Sequence, residues 1–555
     1  MEEREFNLLE EPWVKVSTMS LEPKEVSLLD VMIHAHEYTD LSGEMPTQDA
    51  ALLRVLLAVA QTVFYRYDEN GQKDEISMEN DSDEDTVTER WRNYWNKGRF
   101  PETAVERCLG EFYERFWLFH PETPFYQVSD LQYGTDYGVE CLIGNIKESN
   151  NKATRHHFSM AEGEMLERLS YAEASRWLVF LQAYGVNIKA DKNAQGTKLP
   201  VGVGRLGQLG FVMVNGSNLF RILMLNLCPL KNGSDIWKSP KPVWEQAVHT
   251  EQGREIAPPD NLPELYTIQS RRVMLKRKDG AVIGFRAIGG DFYSAEDDFN
   301  EPMTLWKEGK ADKKTERKVY VPKVHRSTIH AWEEFPTLVW TENGGHVPGV
   351  VQWLDLLGRE KIFGQNTLLT FRMIGTVYGD QMKYTYGDSV NDTLMLSAEL
   401  LSDLGKEWIG SISNEVGKCQ MVATGALKHF SSGMCKLLCG GGSGKGNTEE
   451  ALTRSYYCRI DNAFRAWLAG IRPMESSREE KMAEWERKSY YYARQTAEDF
   501  VAMRNINIYA YKEEEGRIFT VPQVVNAYFR ELRQIYPGIT EDGRREEVSA
   551  LRPQT

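Results

Sequence analysis

The chain has 555 residues and a mass of 63.7 kDa, which is too long for one compact core and excludes a peptide, a small disulfide scaffold and a fibre. Hydrophobic residues make up 41% and charged residues 26%, so the chain can bury a sizeable core. Lysine and arginine number 66 against 81 acids, and the net charge of -15 excludes a protein that binds polyanions over its whole surface.

The first part of the chain predicts a short strand followed by helices. Trp13–Val16 has strand character, and Thr47–Phe64 carries apolar residues at helical spacing. The segment from Asp68 to Glu89 holds ten acids and one base, a charge of -9 that leaves only -6 for the rest of the chain. Because this segment is also rich in Asn, Ser and Gly, we expect a solvated loop. Helical patterning resumes through Trp91–Phe119 and ends at the turn His120–Pro124.

The middle and the end of the chain differ in character. From Val201 to Asp388, glycine, threonine and valine occur in short alternating runs, which predicts strands and long loops. From Ser389 onward, apolar residues recur at helical spacing. The predicted helices of this last part are 393–404, 407–419, 420–438, 449–471, 477–504 and 521–536. The fold class is therefore predicted as α+β, with a large mixed α/β N-terminal domain of irregular strands and long loops (1–388) and a C-terminal helical bundle (389–555).

Cysteine usage and apolar stretches indicate the compartment. The seven cysteines contain no CxxC pair, so we expect reduced thiols and no zinc ribbon. The start of the chain lacks the basic and apolar regions of an export signal, and the long apolar stretches 52–64 and 219–230 are interrupted by polar residues. We expect a cytoplasmic protein without a membrane partner.

Three kinds of motif suggest a dinucleotide, phosphate or metal site, but none has the residue spacing that such a site requires. Gly202–Gly207 satisfies GxGxxG, yet strand-like residues follow it and no acid stands at the distance needed for ribose binding. The run Gly440–Asn447 resembles a phosphate loop, but Gly446 stands where the magnesium-binding Ser or Thr belongs. The histidines, including His325 and His330, lack metal-site spacing and are expected to be capping or core residues. We predict no catalytic residue, no cofactor and no metal.

Three features concentrate positive charge in the strand-rich region. Asn193–Ser234 contains no acid over 42 residues and is rich in glycine, which suits either a close backbone approach to phosphates or a buried strand and helix. Arg271–Lys278 has five bases and no acid, and the following Asp279–Gly280 is typical of a hairpin tip. Lys307–Arg326 has eight bases against three acids. A solvated hairpin or loop and a localised nucleic-acid surface are both open for these two runs.

Several motifs resemble a known family. The opening Phe6–Val16, followed by Val26–Asp30 and Asp49–Arg54, resembles the start of the large subunit (the CasA type) of type I-E CRISPR Cascade. Further segments similar to that family are His120–Gln127, Tyr378–Met382 and Ala527–Leu532. The resemblance extends over nearly the whole chain.

The resemblance implies a non-catalytic subunit of an RNA-guided DNA surveillance complex in antiviral defence. Members of the family lie at the 5′ handle of the guide RNA and recognise the protospacer-adjacent motif in double-stranded DNA. They then promote strand separation, which starts the R-loop, and they recruit a helicase-nuclease. The implied partners are the other Cascade subunits, the guide RNA, the target DNA and the helicase-nuclease. The resemblance further implies the family fold, a large mixed α/β N-terminal domain plus a C-terminal four-helix bundle, and the change in pattern near Ser389 agrees with it.

The resemblance also implies candidate contact residues. Gln381 and Met382 fall on the family's wedge, a hairpin tip inserted beside the motif to part the first base pairs. The family's glycine loop, which approaches the minor groove, falls within Ala194–Gly204, and its lysine finger falls in the run Lys276–Lys278 without a preference among the three bases. The candidate DNA contacts are Gln381, Met382, Gly196, Gly202, Gly204, Lys276, Arg277 and Lys278. The candidate guide-handle contacts are Arg155, His156, His157 and Phe158.

Two alternative functions remain. A metal-dependent nucleic-acid-processing enzyme assembled from scattered acids would cleave nucleic acid when magnesium is added to the purified chain. A pure assembly scaffold without DNA contact would leave target binding unchanged after substitution of Gln381 or of Lys276 and Lys278.

Overall fold

The structure is a computed structural model that describes most of the chain. The described residues are 4–77, 83–144, 167–192, 196, 201–231, 233–251, 253–311, 317–339, 346–364, 367–379, 382, 385–402, 405–438, 445–504, 506–514 and 517–539. The chain divides into two compact units. The first, called the N-terminal unit, comprises 1–329, 341–362 and 370–393, and the second, called the helical unit, comprises 330–340, 363–369 and 394–555.

Helices and strands alternate irregularly along the chain, as expected for a mixed α and β protein. The helices are α1 (Leu28–Ile33), α2 (Pro46–Arg66), α3 (Glu84–Lys97), α4 (Glu102–Gly110), α5 (Tyr171–Tyr184), α6 (Leu219–Leu225), α7 (Leu262–Tyr266), α8 (Phe335–Val339), α9 (Gly349–Arg359), α10 (Lys406–Met421), α11 (Leu427–Leu438), α12 (Lys445–Ala469), α13 (Arg478–Met503) and α14 (Val521–Ile535). The strands are β1 (Glu5–Asn7), β2 (Val14–Thr18), β3 (Pro23–Val26), β4 (Tyr38–Leu41), β5 (Trp117–Phe119), β6 (Thr135–Gly138), β7 (Phe211–Asn215), β8 (Leu230–Lys231), β9 (Asp235–Ile236), β10 (Arg271–Lys278), β11 (Ala281–Gly289), β12 (Trp306–Glu308), β13 (Tyr320–Pro322), β14 (Leu368–Tyr378), β15 (Thr385–Ser397), β16 (Tyr511–Glu514) and β17 (Arg517–Thr520).

Helix α2 forms the centre of the N-terminal unit. Pro46 stands in its first turn, where its missing N–H costs nothing, and the side chains from Thr47 to Tyr65 are buried on every face. The Arg54 guanidinium in this helix donates two hydrogen bonds, 2.6 and 2.8 Å, to the buried Glu301 carboxylate. The predicted helix over 47–64 is confirmed, and its buried cation is paired as a low-dielectric interior requires.

A second buried arginine joins α5 to the first sheet. Arg176 donates to the Trp13 carbonyl oxygen at 2.7 Å and to the Glu44 carboxylate at 2.7 to 3.1 Å, and Lys15 pairs with the same carboxylate at 2.8 Å. Burial raises the pKa of Glu44, but the hydrogen bonds and charges of these two bases outweigh it and lower that pKa to about 2.

Three of the sheets within the described ranges have three strands, with strand orders β3-β2-β4, β10-β11-β6 and β15-β14-β7. The hairpin formed by β10 and β11, called the basic hairpin, turns at Asp279 and Gly280, whose φ angles are 49° and 70°. Two consecutive residues with positive φ match the twist of the flanking strands, as in type I′ turns. The hairpin tip predicted at this dipeptide is confirmed.

The acidic segment is more ordered than its composition indicates. The Asp83 side chain accepts a hydrogen bond from the Thr86 amide, and α3 begins at Glu84, so acids at the positive end of the helix stabilise it. Arg90 of α3 pairs with the Asp74 carboxylate and donates to the Asp74 carbonyl oxygen at 2.6 Å. The prediction of a loop is therefore wrong for 84–89, while residues 78–82 lie outside the described part.

The helical unit contains long helices that pack on one another. Helix α10 runs through a π-helical turn at Val422–Ala426 into α11, and α11 contacts α12 and α14 while α13 contacts α10 and α12. Trp485 of α13 is buried with its ring 4.8 Å from Phe464 and 5.3 Å from Trp467. The predicted helices over 407–438, 449–471, 477–504 and 521–536 are confirmed, with the π-helical turn as the main irregularity.

The region before these helices differs from the prediction. Residues 393–397 belong to β15, and a short 3₁₀ turn occupies 398–401, so the predicted helix over 393–404 is wrong. Leu394 and Leu396 are buried whereas Met395 is 45% exposed, and this period of two is that of a strand. The expected domain boundary after residue 388 lies within β15, and the last of the points at which the chain passes from one unit to the other lies in the same strand, between 393 and 394.

None of the helices within the described ranges is long and apolar enough to cross a membrane. No disulfide joins the six described cysteines, and Cys439 lies outside the described part.

Candidate nucleic-acid interface

The carboxyl end of α5 is the point at which the sequence-predicted motifs meet. The helix begins with a reciprocal capping box between Ser170 and Glu173 and ends at Gly185, whose amide donates to the Leu181 carbonyl oxygen at 3.1 Å. Its last carbonyl groups carry the negative end of the helix dipole and need donors. The residues that supply these donors come from distant parts of the chain.

Arg271, the first residue of the basic hairpin, supplies most of them. Its side chain is fully buried, and burial lowers the pKa of this guanidinium to about 10. The oxygen atoms that accept its hydrogen bonds are those of Leu181 (2.8 Å), Gly185 (2.7 Å), Val186 (2.7 Å) and Gly202 (2.8 Å) and the hydroxyl of Ser270 (2.9 Å). One buried cation therefore holds the end of α5, the residues after it and the glycine loop, which is defined as 194–204.

The hairpin formed by β14 and β15 contacts the same place from another side. The Tyr378 hydroxyl donates to the Tyr184 carbonyl oxygen at 2.7 Å, and the Asn187 amide donates to the Met382 carbonyl oxygen at 2.8 Å. Met382 has a φ of 56°, its amide donates to the Gly379 carbonyl oxygen at 2.9 Å, and its side chain is 52% exposed. The connection 379–384, called the wedge tip, thus presents an exposed apolar side chain, while Gln381 lies outside the described residues.

The candidate glycines have different surroundings. A Cβ added at Gly204 would lie 2.4 Å from backbone atoms of Ala183, and the Gly204 amide donates to the Gly185 carbonyl oxygen at 2.9 Å. At Gly202 the nearest atom to an added Cβ is the Gln208 side-chain nitrogen at 4.0 Å, and at Gly196, where φ is 74°, no described atom lies within 4 Å. Contact with α5 therefore explains Gly204, whereas an added Cβ at Gly202 or Gly196 meets no described atom closer than 4.0 Å.

Two arginines in the rest of the acid-free stretch bond to other residues of the protein. Arg205 pairs with Asp298 at 2.8 Å, and Arg221 donates to the Trp95 carbonyl oxygen at 2.7 Å with its guanidinium 3.9 Å from the Trp95 ring centre. The buried interpretation of this stretch is right for Arg205, while Arg221 is half-buried and bonds within the protein. A short 3₁₀ turn, Arg205–Gln208, overlaps the GxGxxG residues, and the strand β7 follows them in place of a long helix, so the dinucleotide-binding pattern is not completed.

The basic hairpin offers less free charge than its sequence suggests. Arg271 and Arg272 are buried, and Arg272 pairs with Asp291 at 2.5 Å. Lys276 pairs with Asp136 at 2.7 Å, and Arg277 pairs with Glu5 at 2.8 Å with its guanidinium 4.5 Å from the Phe119 ring centre. Hydrogen bonds from Arg286 and Lys276 hold the pKa of Asp136 well below its usual range. Lys278 is exposed at the hairpin tip and has no ion-pair partner among the described residues.

The third basic run is also partly neutralised. Lys318 pairs with Glu308 at 2.9 Å across β12 and β13, and Arg317 pairs with Asp297. Residues 312–316 lie outside the described part of the chain.

The predicted guide-handle residues Arg155, His156, His157 and Phe158 also lie outside the described part. The chain that returns from them is tied to the basic hairpin. Leu169 and Val282 exchange two backbone hydrogen bonds of 2.9 Å, and the Arg168 guanidinium donates to the Asp279 carbonyl oxygen at 3.1 Å. Arg168, near the start of the described chain after the guide-handle residues, therefore lies beside the hairpin tip at Asp279, which is adjacent to Lys278.

Histidines have structural partners where the structure describes them. His325 is buried and its Nε2 lies 2.8 Å from the Phe211 carbonyl oxygen, and His330 caps a short turn and pairs with Asp461 at 3.1 Å. The capping or core interpretation is confirmed for these two. Within the described ranges no three His, Cys, Asp or Glu side chains are grouped as metal ligands.

Sequence reasoning missed the segment 184–187 and the role of Arg271. The segment has no motif of its own, and Arg271 was counted among surface bases because it stands in a basic run. A partial signal was available, since the apolar run Val273–Leu275 follows directly after Arg272, and a short continuous apolar run is consistent with a buried strand.

Comparison with known proteins identifies the family. The chain is 26% identical over 483 residues to CRISPR-associated protein CasA/Cse1 of Thermus thermophilus, covering 84% of this chain and 87% of that protein. It matches the crystal structure of Thermobifida fusca Cse1 with a TM-score of 0.80 and 26% identity, covering 96% of this chain and 99% of that one. A chain of a CRISPR RNA-guided surveillance complex matches with a TM-score of 0.67 at 18% identity, covering 96% and 99%. The family model for CRISPR-associated protein Cse1 matches residues 7–496, and the chain therefore belongs to the Cse1 family, as the motifs of its sequence predicted.

Proposed function

We propose that this chain is the subunit of an RNA-guided surveillance complex that recognises the protospacer-adjacent motif in double-stranded DNA and promotes strand separation. Membership of the Cse1 family and the likeness to a chain of a surveillance complex support a place in such an assembly. The observation that carries the finer proposal is the convergence of three motifs on the end of α5. The glycine loop, the wedge tip and the basic hairpin all bond to 184–187 or to Arg271.

Each motif has a property that suits one part of the task. Among the described residues no atom lies closer than 4.0 Å to a Cβ added at Gly202, and this room suits a close approach of a DNA backbone or groove edge to the main chain. Lys278 is a free cation at a hairpin tip, where a phosphate can reach it. We therefore propose Lys278 as the lysine finger in preference to Lys276 and Arg277, because both of those are already paired with carboxylates.

The wedge tip suits strand separation. An apolar side chain inserted at a base step costs a few kcal/mol of lost stacking, and the contacts to the motif must offset that cost. Met382 is half exposed on a connection whose main chain is held by Gly379 and Asn187, so the side chain can enter the duplex while its backbone stays fixed. We propose that Met382 and the adjacent Gln381 form the wedge.

The other partners follow from the same proposal. We propose that Arg155, His156, His157 and Phe158 contact the 5′ handle of the guide RNA, and that the chain associates with the other Cascade subunits and recruits the helicase-nuclease. We also propose that the continuous run of α10 and α11, together with α12, α13 and α14, forms the four-helix bundle of the family. The proposed role needs no catalytic residue, cofactor or metal.

Strand separation of a guide-matched duplex tests this proposal. Complexes are reconstituted with the wild-type chain, with Met382→Ala, with Gln381→Ala or without the chain, and opening is followed by the fluorescence of 2-aminopurine in the first base pairs. We expect opening only with the chain and a flank that carries a proper motif, and slower opening with either substitution. Equal opening in all samples would contradict the proposal and favour a scaffold, and magnesium-dependent cleavage by the purified chain would favour an enzyme.

A further inference from the structure

We propose that Arg271 is a positioning residue that couples the glycine loop to the wedge tip through residues 184–187. The effect of this coupling on strand separation rests on the proposed function, whereas the coupling itself is a property of the chain without nucleic acid. A contact made at Gly202 would, through this residue, change the position of Met382. Motif recognition and the start of strand separation would then be one linked event.

The segment 184–187 is held from two sides by different parts of the chain. From one side the Arg271 guanidinium donates to the carbonyl oxygens of Gly185 and Val186, both at 2.7 Å. From the other side Tyr378 donates to the Tyr184 carbonyl oxygen at 2.7 Å, and the Met382 carbonyl oxygen accepts from the Asn187 amide at 2.8 Å. Every residue of this short segment therefore makes a hydrogen bond to one of the two sides.

The glycine loop is attached to the same guanidinium. The Gly202 carbonyl oxygen accepts from Nη2 of Arg271 at 2.8 Å, and this nitrogen also serves Gly185 and Val186. The Gly204 amide adds a second link, to the Gly185 carbonyl oxygen at 2.9 Å. A displacement of Gly202 is thus transmitted to 185–186 through a single nitrogen atom and to Met382 through the next peptide.

The chemistry of the side chain supports a positioning role. Burying a cation costs free energy unless it is paired, and Arg271 pairs with no carboxylate among the described residues, since its partners are neutral oxygens. The planar fork of arginine presents several donors in fixed directions, which the single ammonium of lysine cannot reproduce. Arg271→Lys therefore keeps the charge and removes the geometry.

Hydrogen exchange of the full-length chain without nucleic acid tests the structural part. The amides of Asn187 and Gly204 report the two links, because Asn187 donates from the segment to Met382 of the wedge tip and Gly204 donates from the glycine loop to Gly185 of the segment. In Arg271→Lys we expect both amides to exchange faster by about tenfold or more, as local opening becomes easier. Arg272→Lys is the matched control, since Arg272 is equally buried on the next position of β10 but pairs with Asp291. Unchanged exchange of Asn187 in Arg271→Lys would overturn the inference, whatever the DNA-binding result.

A double-mutant cycle tests the functional part. Opening of a guide-matched duplex is measured for wild type, Gly202→Ala, Met382→Ala and the double variant, first with Arg271 present and then in the Arg271→Lys background. If the two sites are independent, the effects of the single substitutions on the opening rate multiply in the double variant. With Arg271 present, we expect the opening rate of the double variant to differ from that product by more than about threefold. In the Arg271→Lys background we expect the difference to be less than about 1.5-fold. Multiplicative effects with Arg271 present would overturn the coupling while leaving the proposed function intact.

A second variant keeps the test decisive if Arg271→Lys does not fold. Tyr378→Phe removes one hydroxyl that holds the segment from the wedge side and leaves the ring in place. We expect it to reduce the same departure from multiplicative effects, and an unreduced departure would contradict the coupling path. Failure of the wild-type complex to open any duplex would instead refute the proposed function, so the two failures are distinguishable.

Discussion

Adding one methyl group at two neighbouring glycines separates a structural requirement from a ligand requirement. At Gly204 the new Cβ would lie 2.4 Å from the carbonyl carbon and oxygen of Ala183 and 2.6 Å from the Tyr184 amide nitrogen. These are backbone atoms of a buried helix, so they cannot move aside as a flexible side chain would. We expect Gly204→Ala to lower the free energy of unfolding by about 1–3 kcal/mol, the usual cost of overpacking.

At Gly202 the same methyl group meets nothing closer than 4.0 Å. The expected change in the free energy of unfolding is within about 0.5 kcal/mol, because no described contact is disturbed and the unfolded chain becomes only slightly less flexible. Duplex affinity is expected to fall, because the methyl group occupies the space through which DNA would approach the main chain. A tenfold loss corresponds to about 1.4 kcal/mol.

Two measurements decide the outcome. Thermal unfolding of the free chain gives the stability change, and fluorescence anisotropy of a labelled duplex gives the affinity of the reconstituted complex. The reasoning about DNA approach is refuted if Gly202→Ala leaves both stability and affinity unchanged. The steric reasoning is refuted if Gly204→Ala is as stable as the wild type.

Three further predictions follow from the described contacts. Lys278→Ala should weaken duplex binding and reduce the magnitude of the slope of log affinity against log salt concentration by about 0.9. Replacing Lys276 by Ala should have a smaller effect, because Lys276 is already paired with Asp136. Salt titrations of both variants check this. Arg54→Met leaves Glu301 as a buried, unpaired carboxylate and should cost about 3–5 kcal/mol in urea unfolding, and a double variant with Glu301→Met should recover part of that loss. Because the folded pKa of Glu44, about 2, lies below its ordinary value, its contribution to stability is present above about pH 4.5 and is lost as the pH falls toward 2. Glu44→Gln should flatten that part of the stability curve measured by denaturation at several pH values, and an unchanged curve would contradict this assignment.

The elements that sequence alone predicted are those with a strong local pattern. The helix at 47–64 and the helices from 407 to 536 have apolar residues at helical spacing over several turns, and the hairpin at Asp279–Gly280 has a dipeptide that tolerates two positive φ angles. Local patterns failed where two structures compete for similar residues. The run from 393 to 397 has enough apolar residues for either a helix or a strand, and pairing with β14 decides for the strand. In 84–89 the cap at Asp83 outweighs a loop-like composition.

The sequence by itself determined the family, the change from strands to helices and the presence of a glycine-rich, acid-free stretch beside basic runs. Only the tertiary structure decided which of these residues face outward. Arg205, Arg221 and Arg271 bond to partners far away in the chain, whereas Lys278 remains exposed. Gly202 and Gly204 are the same residue type in the same motif, yet Gly204 touches α5 whereas Gly202 has no described atom closer than 4.0 Å to an added Cβ. The reason is physical, because residue type sets what a side chain can bond to, while long-range contacts determine which partners lie within reach.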